Sequence, residues 1–182
     1  MLYSTTMFKH METEGGSITP RQGTYLVGVV NAIASLLSTQ IMRCFGRRTL
    51  VIWGHIFIAI IHASIGVFGI LHVDAGIIGM ILAFLVVYQN SSGPVAWLYA
   101  AETTIDSALG ICLFTLWGTV FILSLVCPIL MDPNSSVGIN NVFFIFSGLS
   151  VFGSLYCYFF IKESKGLTDK EKKLLFTPEK YK

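Results

Sequence analysis

The sequence predicts an all-α integral membrane protein, a helical bundle of about five transmembrane helices. Only 12% of its 182 residues are charged, whereas 54% are hydrophobic. A soluble domain carries about 25% charged residues, and so few charges could not cover a globule of this size. Apolar stretches of membrane-spanning length alternate with short polar loops along the chain, which indicates repeated crossings of a bilayer.

The first apolar stretch runs from residue 23 to about residue 41. The polar residues before it, including Pro20, are typical of a loop. Within the stretch, Asn31, Ser35 and Ser38 are spaced four and three residues apart, so they share one helical face. Such a stripe can hold helices together or line a polar cavity, and the spacing alone favours contact between helices.

The second stretch, from residue 50 to about residue 71, follows a basic loop at residues 43–48. It contains His55 and His62, seven residues apart and therefore on one face. A metal site would need further ligands, which the sequence does not supply in a matching pattern. We expect both histidines to make polar contacts inside the bundle.

The third stretch, from residue 76 to about residue 101, contains the most unusual polar groups of the chain. Gln89 and Asn90 precede a Gly93-Pro94 step, and Trp97 follows it. Polar groups at membrane depth are costly unless they face a cavity or a partner, and a Gly-Pro step frees backbone groups that need partners. One face of this helix therefore lines something other than lipid.

Two further apolar stretches, residues 108–131 and 141–161, lie on either side of a turn-rich loop containing Asn134-Ser135-Ser136, a weak match to the glycosylation pattern. Thr168 and Glu171 then fit a capping box. Lysines dominate the last 21 residues, and a solvated tail helix is favoured over a lipid-binding one. Placing this tail and the basic loop in the cytoplasm puts ten of the twelve Lys and Arg residues inside, which predicts an external N-terminus and a cytoplasmic C-terminus.

Six motifs, in order, resemble the sugar porters of the major facilitator superfamily, the glucose-transporter-like proteins with twelve spans in two six-helix halves. The motifs are Leu2-Tyr3-Ser4-Thr5-Thr6-Met7-Phe8, Val29-Val30-Asn31, Gly46-Arg47-Arg48-Thr49-Leu50, Gly93-Pro94-Val95-Ala96-Trp97 with Ala101-Glu102, Phe114-Thr115-Leu116-Trp117, and Glu163-Ser164-Lys165-Gly166 with Thr168. The resemblance implies that the chain corresponds to the C-terminal half, with its helices equivalent to spans eight to twelve.

Under this resemblance, residues 1–22 hold the end of a seventh helix and an extracellular loop, residues 23–162 the transmembrane bundle, and residues 163–182 a cytoplasmic tail. The implied activity is hexose transport by alternating access. Asn31 would hydrogen-bond a sugar hydroxyl, and Trp97 would stack on the sugar. Gln89 would occupy a binding position where the family often has a carboxylate.

The resemblance also implies gating residues. Gly93 and Pro94 would let the tenth helix bend during alternating access. Arg47, Arg48 and Glu102 would belong to a cytoplasmic charge network that closes the inner side of the outward-facing state.

One half of such a carrier supplies only one wall of the site, so the expected partners are glucose or a related hexose, the lipid bilayer, and an N-terminal half or a full-length transporter. The plasma membrane is the family default. An alternative interpretation is a non-transporting membrane fragment that associates with or regulates full-length transporters. An enzyme is disfavoured because no nucleophile–base pair, metal cluster or phosphate-binding glycine loop occurs. No cofactor is expected, and neither is nucleic-acid binding, because the basic residues flank apolar spans.

Overall fold

Helices form almost all of the computed structural model, which describes residues 20–132 and 137–176. No strand occurs within these ranges. In chain order the helices are α1 (Pro20–Cys44), α2 (Arg47–Ile70), α3 (Asp74–Asn90), α4 (Ser92–Thr103), α5 (Asp106–Met131), α6 (Gly138–Phe160) and the short α7 (Asp169–Lys173).

Five segments of the described chain are long and apolar enough to cross a membrane. They are α1, α2, α3 together with α4, α5 and α6. The shortest has 23 residues, which at 1.5 Å per residue exceeds the bilayer's hydrocarbon thickness of about 30 Å. The predicted class, a multi-pass helical bundle, is therefore confirmed.

The membrane-spanning helices begin before the predicted bounds, and Arg43, Arg47 and Arg48 of the expected basic loop lie in α1 and α2. Two further differences concern Pro20 and Ser91. Pro20 was expected in a loop, but it is the first residue of α1, a position that suits proline because the first N–H groups of a helix have no intrahelical partner. The third predicted stretch is two helices with a break at Ser91. The expectations for residues 2–8 and for Asn134-Ser135-Ser136 lie outside the described residues.

Helix α2 is the centre of the bundle, packing most extensively against α6 and then against α3. Two serines of α6 donate hydrogen bonds to backbone carbonyls of α2: Ser147 to Ala59 at 2.8 Å and Ser154 to Ile52 at 3.3 Å. His62 lies among the rings of Phe84 and of Phe143 and Phe146, at centroid distances of 5.1 to 6.1 Å. The expected polar contact of His62 is wrong, because its Nδ1 is buried without a hydrogen-bond partner in the described residues and its ring packs against aromatic side chains. Hydroxyl bonds and aromatic contacts thus join the central helices.

The two flanking helices are packed unequally. Helix α1 contacts α3 through a small apolar cluster centred on Val27 and Leu85. In contrast, the most apolar window of α5 has no buried residue at all. Its three aromatic side chains, Phe114, Trp117 and Phe121, are more than 60% exposed. Within the described chain, α5 is therefore an apolar helix with an open surface.

Candidate functional site

The third span is interrupted at Ser91, whose backbone angles (φ −129°, ψ −94°) are not helical. The side chains around the interruption bond back to the preceding turn. Asn90 donates from Nδ2 to the carbonyl of Val86 at 2.7 Å, and Ser91 donates from Oγ to the carbonyl of Val87 at 2.6 Å. These bonds occupy side-chain donors that would otherwise be unpaired at membrane depth.

Helix α2 supports the break from the opposite side. The Oγ of Ser92 lies 3.2 Å from Nδ1 of His55, which is itself 2.8 Å from the carbonyl oxygen of Val51. A Cβ atom at Gly54 would collide with the side chain of Ser91, so only glycine allows α2 to approach this closely. The expected bundle-facing contact of His55 is confirmed, whereas its partner Ser92 was not foreseen.

The expected substrate residues lie on three helices. Gln89 is in the last turn of α3 and Asn31 is in the middle of α1. Each is four residues, or one helical turn, beyond the contact of Val27 with Leu85. Helices α1 and α3 run in the same direction, since α2 runs back between them, so the two amides occupy the same level of the bundle.

Trp97 lies eight residues beyond Gln89, about 12 Å further along the span by helical rise. Its side chain is 44% exposed. No hydrogen bond joins it to Asn31 or Gln89 in the ranges that the structure describes. The structure thus brings the two amides to one level and leaves the indole on an open surface of α4.

Gly93 and Pro94 occupy the second and third positions of α4. Proline lacks an N–H, and the first N–H groups of a helix have no intrahelical acceptor. Pro94 therefore starts the second half-helix without losing a bond. The spacing near Gly93 is tight, because a Cβ there would lie 3.0 Å from the ring of Tyr88 and 3.3 Å from Oε1 of Gln89.

Charged side chains meet at the far end of α4. A terminal guanidinium nitrogen of Arg47 lies 3.2 Å from Oε1 of Glu102, and these side chains are only 18% and 14% exposed. The same carboxylate contacts Nζ of Lys172 at 3.2 Å and accepts a hydrogen bond from Oγ of the fully buried Ser164, also at 3.2 Å. With Glu163, described next, these residues form what we call the charged cluster.

Glu163 caps the beginning of α2 from a distant part of the chain. Its carboxylate accepts hydrogen bonds from the backbone N–H groups of Arg47 at 2.9 Å and Arg48 at 3.2 Å. A Cβ at Gly46 would collide with this carboxylate. A negative charge at a helix N-terminus is favourable, because it meets the unpaired N–H groups and the positive end of the helix dipole.

Arg48 joins this cluster through its backbone but not through its side chain. Its guanidinium donates to the carbonyl of Tyr158 at 2.7 Å and lies 5.4 Å from the centre of that tyrosine's ring. Of the two expected arginines, therefore, Arg47 pairs with Glu102 and Arg48 extends towards α6.

The C-terminal tail contacts the bundle through Lys172. Thr168 and Glu171 form the predicted capping box at the beginning of α7, and the hydrogen bonds from Thr168 lower the pKa of the Glu171 carboxyl. The expectation of a solvated tail helix is wrong for Lys172, whose side chain is 13% exposed because it reaches Glu102. The lysine-rich composition alone did not reveal this long-range contact.

The family model described as "Sugar (and other) transporter" matches residues 1–176. Among curated proteins, the chain is 27% identical to the major myo-inositol transporter IolT of Bacillus subtilis, over 92% of this chain and 36% of that protein. It is also 27% identical to the glucose facilitated diffusion protein of Zymomonas mobilis, over 91% of this chain and 36% of that protein.

Solved structures show the same relationship. The MFS proton:xylose symporter XylE bound to 6-bromo-6-deoxy-D-glucose matches with a TM-score of 0.82 and 27% identity, over 95% of this chain and 38% of that one. The inward-open xylose transporter XylE from E. coli matches with a TM-score of 0.75 and 26% identity, over 85% of this chain and 36% of that one. The chain spans little more than a third of the length of these relatives.

Proposed function

The chain belongs to the sugar (and other) transporter family, and we propose that it serves hexose transport by alternating access as the C-terminal half of a carrier. The proposed bundle over residues 23–162, which α1 extends back to Pro20, would be preceded by the end of a seventh helix and an extracellular loop and followed by a cytoplasmic tail at residues 163–182. The proposed location is the plasma membrane, with the N-terminus outside. The relatives are transporters of small polar molecules, which supports this class of function.

The observation that carries the proposal is a pair of amides at membrane depth. Asn31 and Gln89 lie at one level of the bundle, and neither side chain makes a hydrogen bond within residues 20–132 and 137–176. An amide buried in an apolar medium without a partner is costly. A sugar offers hydroxyl groups that both donate and accept hydrogen bonds, and such a ligand would satisfy both amides. Trp97 supplies an apolar ring face on the adjoining half-helix.

The gating residues are proposed from the charged cluster. Arg47 and Glu102 join the beginning of α2 to the end of α4, the half-helix that carries Trp97. Breaking this pair would release the end of α4, while Gly93 and Pro94 at its beginning provide the bending point. Ion pairs of modest energy that form in only one state bias a conformational equilibrium between states. Arg48 is included among the gating residues because its backbone N–H donates to Glu163 and so joins the beginning of α2 to the charged cluster.

A chimeric carrier tests the substrate residues. This chain would replace the matching region of the Zymomonas mobilis glucose facilitated diffusion protein, and uptake of radiolabelled glucose would be measured in cells lacking other hexose carriers. We expect Asn31→Ala to raise KM about five-fold, because one hydrogen bond is worth about 1 kcal/mol. Trp97→Ala should raise it about ten-fold, since it removes a full ring contact.

Two variants of α6 serve as controls. Asn141→Ala removes an exposed amide that donates to the carbonyl of Val137, the residue before α6, and Phe152→Ala removes an exposed ring. Both should transport glucose like the parent chimera. Unchanged KM in both Asn31→Ala and Trp97→Ala would refute the assigned roles.

The exposed surface of α5 favours a second candidate function, in which the chain associates with a full-length transporter without transporting by itself. An apolar helix with no buried residue in its most apolar window offers a large surface for a partner helix. An antibody against residues 165–182 would capture the chain from native membranes. A band near 20.1 kDa that co-purifies with a twelve-span protein, without uptake by the chain alone, would support association. A single band more than twice as heavy would refute it.

A further inference from the structure

A shallow groove lies between α2 and α6 on the outside of the bundle, apart from the proposed sugar site. Its volume is about 360 Å³. Arg48 and Thr49 lie at the end of the groove nearest the beginning of α2. Apolar and aromatic side chains line the remainder: Ile52, Trp53, Ile56 and Tyr158. The α2 members recur at three- and four-residue intervals, so they form one continuous stripe along the helix.

The guanidinium at the head of this groove lacks a counter-charge. Arg48 makes no ion pair with a carboxylate in the part of the chain that the structure describes, unlike Arg47, which pairs with Glu102. The nearby carboxylate of Glu163 is engaged by backbone N–H groups. Arg48 is half-buried against Tyr158, and its Nε atom is buried without a hydrogen-bond partner. A half-buried charge of this kind is stabilised by a nearby anion.

The groove extends from the depth of the lipid phosphates into the hydrocarbon layer, and its residues change from polar to apolar in the same direction. Helix α2 begins at Arg47, so Arg48 stands at the end of a membrane span, at the level of lipid phosphates. From Arg48 to Ile56 the helix rises about 12 Å, into the hydrocarbon layer. Trp53 and Tyr158 are 55% exposed each, and aromatic rings of this type concentrate at the membrane interface.

We propose that this groove binds an anionic phospholipid. The headgroup phosphate would pair with the guanidinium of Arg48, and the hydroxyl of Thr49 would be its second donor. One acyl chain would lie along Ile52 and Ile56 against the ring of Trp53. A zwitterionic phosphatidylcholine carries its own cation beside the phosphate and would compensate Arg48 less well, so the site selects net negative headgroups.

Fluorescence of Trp53 tests the proposal directly. The full chain carrying Trp97→Phe and Trp117→Phe retains Trp53 as its only indole. It would be reconstituted in phosphatidylcholine vesicles with rising fractions of a brominated lipid, either phosphatidylglycerol or phosphatidylcholine, whose bromines lie near the headgroup and quench tryptophan on contact. We expect phosphatidylglycerol to bind about five-fold more tightly at the quenching site, the effect of about one basic residue.

Substitutions locate the charge that is responsible. Arg48→Gln should bring the ratio of the two association constants to about one, and Arg48→Lys should preserve most of it. Arg43→Gln is the matched control, because Arg43 is exposed in the same basic region and does not line the groove. Ile56→Phe narrows the groove without changing its charge, so it should lower the association constants of both lipids at the quenching site even if Arg48→Gln fails to fold. A ratio of one in the parent chain, or equal losses in Arg43→Gln and Arg48→Gln, would overturn the proposal.

Discussion

The bundle contains two polar regions that differ in how completely the chain satisfies them. In the charged cluster, Glu102 is met by two cations and a hydroxyl from three other segments. At the break in the third span, neutral groups bond mainly to their own helix, and Asn90 keeps a buried Oδ1 without a partner in the described residues. The carboxylate of Glu102 is thus fully paired, although the Nε atoms of Arg47 and Arg48 near it are buried without a partner in the described residues, whereas the middle of the bundle retains an unpaired acceptor. That contrast is expected of a structure whose middle receives a ligand.

Removing the charge of Glu102 is the strongest test of this contrast. We expect Glu102→Gln to lower the free energy of unfolding by about 3 kcal/mol, because it leaves Arg47 and Lys172 half-buried without a counter-charge. Unfolding would be followed by circular dichroism during titration of micelles with a denaturing detergent. Asp169→Asn is the control, since Asp169 contacts Lys172 at 3.4 Å but its side chain is 95% exposed. Similar losses in both variants would show that the cluster behaves as an ordinary surface.

The second largest loss of unfolding free energy is expected at the contact between Gly54 of α2 and the break at Ser91. Gly54→Ala should cost about 2 kcal/mol of unfolding free energy, because the new methyl group meets Ser91 and forces α2 away from the break. The control is Gly118→Ala on α5, where no atom lies within 4 Å of the added methyl. The same denaturing titration compares the two. A neutral Gly54→Ala would mean that the break tolerates displacement and that its close contact with α2 is incidental.

The hydrogen bond across the break should contribute less. Ser92→Ala removes the hydroxyl that lies 3.2 Å from His55, and we expect a loss of about 1 kcal/mol. Ser64→Ala is the matched control, because Ser64 bonds only to the carbonyl of Ile60 on its own helix. If the two variants unfold alike, the Ser92–His55 contact adds nothing to the stability of the middle region.

The smallest effect concerns the tail that supplies Lys172 to the charged cluster. Hydrogen bonds from Thr168 lower the pKa of Glu171 below its ordinary value of 4.5. Because the folded pKa is the lower one, the cap is fully stabilising above pH 4.5 and is lost as the pH falls through the folded value. The protection factor of the α7 amides, which is the intrinsic exchange rate of an unstructured peptide at the same pH divided by the observed rate, should therefore fall on acidification. Thr168→Ala should abolish that dependence, and a dependence that survives the substitution would assign it to another group.

The sequence predicted the parts of this molecule that depend on local composition. Apolar length revealed the five spans, and the spacing of Thr168 and Glu171 predicted the capping box. The family resemblance implied that Arg47, Arg48 and Glu102 belong to one charge network, but it did not predict that Arg47 rather than Arg48 pairs with Glu102. Contacts between distant segments were not predictable: nothing local to Lys172 indicates that it reaches Glu102, and nothing near Ser92 indicates His55. The break at Ser91 was signalled by Gly93 and Pro94, but its position depends on side-chain bonds that only the folded structure shows.

The capping of α2 by Glu163 fixes an order of events during synthesis of the chain. The carboxylate that caps α2 lies 116 positions after the N–H of Arg47 that it receives. While the ribosome is still producing the intervening helices, the beginning of α2 has no such cap, and the nascent bundle is open at that end. The cap closes only after α6 has entered the membrane and residue 163 has emerged. The beginning of α2 therefore acquires this cap only in chains synthesised through residue 163, and a chain interrupted earlier exposes the unpaired N–H groups of the first turn.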